Sequence, residues 1–573
     1  MKTRFRYLVL AIVFVFVSLT LFSSGASVSA RAPAAGKPPT ATPTPTTAPT
    51  NTPTPLPPHA HYVDCSAATN GDGSQTNPWN SLASPNAHTF GPGDSLLFKR
   101  GVTCNGGFVA TGSGNATSPI TIADYGTGAL PILDGGTTNT HTILLNNVEY
   151  YNLSNLTIRG GSLWGVRVNA TTTGLTLDHF YVTNLDISAV NHTATARNDS
   201  GLLGIYPDVA GSIMNDILVD GVTTHDTTAG AGITIGGGRD YPCSGACTHP
   251  GGTGIIVRNS LSHDVGGDGI VIWALQNGLI ETSVAYNTGE CTTCSGSTPV
   301  SIWTWDTNSA TVQNTESYSA HTWNSDGGSY DIDGDNVDNI YQYNYGHDSD
   351  GQCIAILDFD ATVATTNSVV RYNICAANVV AGSNSGEILP WVWSSGTLNG
   401  VQVYNNTIYA NSTQSSFAVI HDGSGNGGLR VAYSGSVPNF YKNNLIYSTN
   451  AAMTLISTVP TLDYNLWYST TGSYSFKRGS ATYTSFSAWQ SGSGQDAHGL
   501  STNPNLNGVG YHAAGLPTLA NGYYTLQTSS PALSAGTDVC ATSCIGSSMG
   551  SLDFFGNTLD SSHNIGAYEG SGQ

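Results

Sequence analysis

The chain has 573 residues, a formal charge of −20, and only 9% Asp, Glu, Lys and Arg, against about 25% in an ordinary soluble domain. So few charges, with 68 Gly, exclude a coiled coil or helical bundle, while recurrent Ile, Val, Leu, Tyr and Trp exclude disorder along the whole chain. The acidic balance argues against a nucleic-acid partner, whose phosphates need basic contacts, and the composition predicts an all-β, turn-rich protein.

Residues 1–30 read as a signal peptide. Lys2, Arg4 and Arg6 precede the apolar run Leu8 to Phe22, and Val28-Ser29-Ala30 supplies the small residues of a cleavage site. The run is short for a membrane span of about 20 residues, so a secreted chain with no span after cleavage is expected. Residues 31–60 are Pro/Thr-rich and read as an extended linker, a possible means of attachment to a cell surface. Ten Cys, an even number in an exported chain, suggest disulfides. Cys243/Cys247 and Cys291/Cys294 have the spacing of half a zinc site, but no His/Cys spacing completes one, and no metal ligands are assigned.

From about residue 141 to 470 the chain repeats loosely, with a spacing of about 21–38 residues. Val219-Asp-Gly-Val-Thr-Thr-His225-Asp226, Val257-Arg-Asn-Ser-Leu-Ser-His263-Asp264 and Tyr341-Gln-Tyr-Asn-Tyr-Gly-His347-Asp348 share one frame with Val370 to Cys375, Val403 to Ile408 and Tyr441 to Ile446. Gly-rich turns then lead into short apolar strands such as Ile270-Val271-Ile272. Asn at the same place in successive units favours a solenoid, in which equal positions stack into ladders.

Three stretches give this pattern a family likeness. The first runs from Tyr62-Val63-Asp64 through Asn77-Pro78-Trp79 to Pro92-Gly93-Asp94-Ser95-Leu96-Leu97-Phe98. The second is the set of repeats. The third is Asn503-Pro504, Tyr524-Thr-Leu-Gln, Ser530-Pro531-Ala532 and Asn564-Ile565-Gly566-Ala567-Tyr568-Glu569. Together they resemble the secreted right-handed parallel β-helix proteins of the pectate-lyase-like superfamily. The resemblance implies a single-stranded solenoid with capped ends: a cap and first rungs over 61–140, the β-helix over 141–470, and a closing segment packed on it over 471–573. It specifies activity weakly, because this superfamily holds lyases, glycosidases and non-enzymatic adhesins.

The outward strand positions point to candidate chemistry. With the Ile residues inside, Val271 and Trp273 face out, and the matching pairs are expected to be Ser301 and Trp303, then Asp331 and Asp333, then Ala355 and Leu357. Trp273, Trp303 and Asp333 would then lie on successive rungs about 4.8 Å apart. Trp stacks on sugar faces and a carboxylate moves protons, so Asp331 and Asp333, with Asp326 from a nearby loop, are the expected catalytic groups. Two residues apart on one strand, the pair has backbones about 7 Å apart, near the carboxylate separation of inverting glycosidases. Trp273, Trp303, His263, Asp264, His347 and Asp348 are the candidate substrate-binding residues, although His-Asp pairs in turns also serve simply to bond backbone amides. Glu387, beside Trp391 and Trp393, is a further candidate. Asp331-Ile-Asp333-Gly-Asp335-Asn-Val-Asp338 also has the spacing of a calcium loop without its Gly and closing Glu, so Ca2+ stays open as a cofactor.

The leading expectation is a monomeric, secreted glycoside hydrolase acting on a polysaccharide. The alternatives are a polysaccharide lyase, disfavoured because no Lys lies between residues 100 and 441, and a non-catalytic carbohydrate-binding surface protein. Stacked rungs are also expected to join Cys353 to Cys375, while Cys65 and Cys104 would tie the N-terminal cap and Cys243–Cys247, Cys291–Cys294 and Cys540–Cys544 would close small loops.

Overall fold

The computed structural model describes residues 59–190, 200–238, 251–291, 299–322, 326–359, 363–381, 386–393, 395–424, 432–541, 544–546 and 548–573. The expected signal peptide and the linker up to residue 58 lie outside the described residues.

Short runs of alternating or wholly apolar residues cannot bury themselves in pairs, and here they do so by coiling. The strands form a right-handed parallel β-helix in which a 25-stranded and a 16-stranded sheet wind round one continuous core. Each central rung has three strands. In one rung these are Ile255–Arg258, Leu261–Val265 and Ile270–Gln276; in the next they are Leu279–Glu281, Val284–Thr288 and Val300–Asn308. The first two strands of every rung stack into the larger sheet, and the third strands stack into the smaller one. A frame such as Val257 to His263, which looks like one strand in the sequence, is therefore bent at Asn259-Ser260.

The core is built from columns of like residues. Leu203, Ile233, Ile270, Ile302, Tyr330, Ile354, Ile388 and Ile420 lie in register on successive third strands, all buried. Each such side chain contributes about 1.5–3 kcal/mol on leaving water.

The corner between first and second strands has two residues at every rung from Gly221-Val222 to Tyr464-Asn465. Its first residue is left-handed throughout, as at Asn259 (φ 50°), Tyr372 (φ 51°) and Asn443 (φ 54°), a conformation that Gly and Asn adopt at least cost. Its second residue points inward and builds the expected ladder. The amides of Thr315, Asn344, Asn373, Asn406 and Asn444 donate in turn to the side-chain oxygens of Asn344, Asn373, Asn406, Asn444 and Asn465 at 3.0–3.2 Å. Asp496 ends the ladder: it accepts from Asn465 Nδ2 at 2.8 Å and from the indoles of Trp467 and Trp489 at 3.0 and 2.8 Å.

The C-terminal end of the coil is covered. The last strand of the smaller sheet, Ser475–Arg478, turns into an antiparallel hairpin with Ala481–Tyr483. The helix Phe486–Ser493, capped by Ser485, then lays Trp489 on Phe476. The remaining chain packs back along the larger sheet. Asn405 and Asn443 donate to Asn564 O and Thr537 O, and Tyr343 to Leu552 O. Disulfides join Cys65 to Cys104, Cys353 to Cys375 and Cys540 to Cys544. Cys291 is also disulfide-bonded, whereas Cys294 and the pair Cys243/Cys247 lie outside the described residues. Among the described residues no helix is long and apolar enough to cross a membrane.

Candidate functional site

The outer face of the smaller sheet carries two neighbouring columns. One runs Thr234, Val271, Trp303, Asp331, Ala355, Leu389. The other runs Gly236, Trp273, Trp305 on one side and Leu357, Trp391, Gly423 on the other, with Asp333 just past the end of the strand Gly328–Ile332, its amide donating to Thr304 O. The expected register is thus corrected at one rung: Trp305, not Trp303, pairs with Trp273, and Trp303 pairs with Asp331. Val300 to Trp305 alternates in and out throughout, so a slip of two residues keeps every side chain on its own face. Pairing of Ile302 with Ile270 and Tyr330 in the core decides the register.

Asp331, in the strand Gly328–Ile332, and Asp333, just past its end, are flanked by apolar surface along the helix axis. Trp303 and Trp305 sit on one side; Ala355 and Leu357, then Leu389 and Trp391, sit on the other. Two glycines shape this surface. A Cβ on Gly423 would meet the Trp391 ring at 1.7 Å, and one on Gly236 the Trp273 ring at 2.5 Å, so both indoles lie across the adjacent rung. Asp331 is only 2% exposed, Asp333 8% and Trp303 4%, whereas Trp273, Trp305 and Trp391 are half-buried. The two acids therefore form the floor of the surface rather than an open strand edge, which corrects the expectation of an exposed pair.

Behind the acids the core turns polar. Thr304 replaces Ile in its column, and Tyr341 Oη donates to Asp331 O at 2.6 Å and lies 3.1 Å from Thr304 Oγ1. Asn336 Nδ2 donates to the carbonyls of Asp333 and Thr304, and Asn339 Nδ2 to Thr307 Oγ1 at 2.6 Å. Each acid's backbone is thus held by a buried side chain. Burial, with Asp331 and Asp333 nearby, pushes the Tyr341 phenol well above its ordinary value, so it stays a donor.

The other candidates fall elsewhere. Asp326 precedes the strand Gly328–Ile332 in a left-handed turn (φ 59°). From Gly328 to Asp331 alone the strand rises about 10 Å, so its backbone enters at the opposite edge of the sheet from the pair. His263, Asp264 and His347 lie on second strands and Asp348 just past one, round a corner from the acid pair, so the structure does not bring them together with it. His225, His263, Tyr286, Tyr318 and His347 form one column of stacked rings 4.7–5.1 Å apart. His263 and His347 each bond the following Asp, at 2.6 and 2.8 Å, and both Asp residues are left-handed (φ 53°). His347 is sealed: Nε2 meets Glu316 Oε1 at 3.2 Å, Gly515 N donates to that same oxygen, and His512 meets Asp348 at 2.7 Å. These groups join the closing segment to the helix.

Glu387 is buried inside the coil, accepting from Asn378 N and Nδ2, and burial pushes it up to about 8. It is a neutral interior acid rather than a groove residue. The calcium-like run is divided: Asp331 and Asp333 face out on the smaller sheet, whereas Asp338 accepts from Asn367 on the next rung at 2.7 Å. Sequence reasoning missed Trp305 and Asp306. Strict alternation beyond Trp303 would have found Trp305. Asp306 sits in a left-handed bulge (φ 51°) beside the acid strand, with its amide on Gly334 O, and no sequence signal marks that bulge.

No protein-family model matches the chain. It is 26% identical over 451 residues to a lacto-N-biosidase of Bifidobacterium longum subsp. longum, which covers 62% of this chain and 27% of that protein; the chain spans about a quarter of the curated relative's length. Among solved structures, a GH136 lacto-N-biosidase from Eubacterium ramulus is 19% identical, covering 66% of this chain and 67% of its own, with a TM-score of 0.49. Pectate lyase Pel9A is 12% identical over 89% and 96% of the two chains, with a TM-score of 0.40. XylC in complex with xylose is 10% identical over 89% and 98%, with a TM-score of 0.44.

Proposed function

We infer that the chain is an exported glycoside hydrolase whose proton-transferring pair is Asp331 and Asp333. The observation that carries this reading is the placement of two adjacent carboxylates in a wall of indoles, with their backbones locked from behind. Glycosidic cleavage needs one carboxyl group to protonate the leaving oxygen and a second to act on the anomeric carbon or on the attacking water. A backbone separation of about 7 Å lets the side chains reach both sides of one linkage. Trp273, Trp305 and Trp391 supply ring faces on either side of the pair, suited to the apolar faces of consecutive sugar units. The sequence similarity to a lacto-N-biosidase supports hydrolysis over elimination, and an oligosaccharide as substrate. Disulfides and the basic-then-apolar leader support export.

The test is release of reducing sugar from a panel of oligo- and polysaccharides, including lacto-N-biose-containing oligosaccharides, with the anomer of the first product read by NMR. Asp333→Asn keeps the volume and removes proton transfer, so hydrolysis is expected to fall by about 100-fold or more. Retained activity in Asp331→Asn and Asp333→Asn would refute the assignment, and an unsaturated product would indicate a lyase.

A further inference from the structure

At the far end of the molecule, where the chain enters the first strand Ala60–Val63, three imidazoles converge on one carboxylate. His61 is on that strand, His88 follows the helix Ala83–Ala87, and Asp94 precedes the strand Ser95–Lys99. Donor atoms of these three all lie within 4.8 Å of one another. His88 Nε2 stands 3.9 Å from Asp94 Oδ2, and His59 Nδ1 stands 3.8 Å from Asp94 Oδ1.

Two donors that share a zinc ion at about 2.0–2.1 Å can be no more than about 4.2 Å apart, so both measured pairs already fit. The spacings are too long for direct hydrogen bonds. His88 Nε2 is shut off from solvent yet bonds no protein atom, a condition that ordinarily costs about 1–3 kcal/mol.

Packing aims the rings without using their nitrogens. His61 stacks on Trp79 at 5.0 Å, and His88 sets its edge against Phe90 at 4.7 Å. Asp94 is fixed by Gly91 N, which donates to Oδ2 at 2.7 Å.

We propose that His59, His61, His88 and Asp94 form a binding site for one divalent transition-metal ion, zinc in class, that clasps the N-terminal strand to the loop beneath it. Three imidazoles and one carboxylate suit zinc rather than calcium or magnesium, which take sets of oxygens. His61, His88 and Asp94 supply three converging donors, and the exposed His59, 3.8 Å from Asp94, can turn to supply the fourth of a closed tetrahedral shell, which makes the ion structural.

The test is titration of chelator-treated full-length protein with ZnCl2 by calorimetry, with metal content measured on the purified chain. One zinc per chain is expected, with a rise in Tm, a tetrahedral visible spectrum on cobalt substitution, and no competition from CaCl2. His88→Gln and His61→Ala should each weaken binding by about 10–100-fold or more. His59, whose side chain is 65% exposed, can be changed without disturbing the core, so His59→Ala should also weaken binding while the circular dichroism stays unchanged. Absence of stoichiometric zinc, or zinc affinity unaltered in all three folded variants, would overturn the proposal.

Discussion

Tyr341→Phe probes the link between the buried polar knot and the acid pair. The substitution keeps the ring, which is buried and edge-on to Tyr330 at 6.4 Å, and removes one hydroxyl. That hydroxyl donates to Asp331 O at 2.6 Å and contacts Thr304 Oγ1 at 3.1 Å. Thr304 Oγ1 keeps Asn339 Nδ2 at 3.2 Å, so the main loss falls on the carbonyl of Asp331. A buried acceptor deprived of its side-chain donor costs about 1–3 kcal/mol. At about 2.1 cal/mol/K per residue, unfolding the more than 500 residues beyond the linker carries an entropy of about 1 kcal/mol/K, so Tm should fall by about 1–3 °C. The local consequence is larger. Asp331 would lose the clamp on its backbone, and kcat for glycoside hydrolysis should drop by about 10-fold with little change in KM, since a 1 Å misplacement alone costs about 100-fold. The assay pairs calorimetry with steady-state kinetics. An unchanged kcat in a variant whose Tm has fallen would separate Tyr341 from the chemistry and refute the idea that the knot positions the pair.

Two further outcomes follow from burial. Raising the pH from about 5 to 8.5 should lower Tm in calorimetry. Burial holds Glu387 and Glu569 up to about 8 and Asp496 up to about 6, so the unfolded chain releases these protons first and gains from rising pH. His321 and His347, raised by Asp350 and by Asp348 with Glu316 respectively, lose their stabilising protons in the same direction, while His61 and His141, lowered chiefly by burial, oppose it. Asn406→Ala should cost about 3 kcal/mol or more by calorimetric stability, because it strands the Asn373 amide and side chain and the carbonyls of Val370 and Tyr404; an Asn406→Asp variant of equal stability to the parent would refute the ladder's dependence on the side-chain donor.

The β-helix was legible because its evidence is periodic. Asn373, Asn406, Asn444 and Asn465 recur at one position, and stacking is the arrangement that makes such recurrence useful. The rung itself was read with too few strands, since a two-residue corner such as Asn259-Ser260 leaves little mark on the hydrophobic pattern. Alternation suggested Asp331 and Asp333 as a pair but mispaired the indoles beside them, because period-two patterns cannot distinguish registers two residues apart. The His-Asp pairs show the other limit. A residue pair in a repeated turn looks the same in sequence whether it faces a ligand, a stacked ring or, like His347, the folded-back end of the chain.

The invariant corner also limits where the molecule can vary. Since every ladder amide must meet the next rung's side chain, that corner admits no inserted residue, and extra sequence can enter only at the other two. The gap between second and third strands is short from Thr227 to Ala231 and longer from His347 to Ile354, and the gap from a third strand to the next first strand is short from Gln276 to Leu279 and longer from Ile456 to Thr461. Both of these corners border the smaller sheet. The hydrogen-bond column thus acts as a rigid spine opposite a free margin. Changes in loop length accumulate on the two sides of the indole-lined face, where they alter what that face admits without touching the core that holds it.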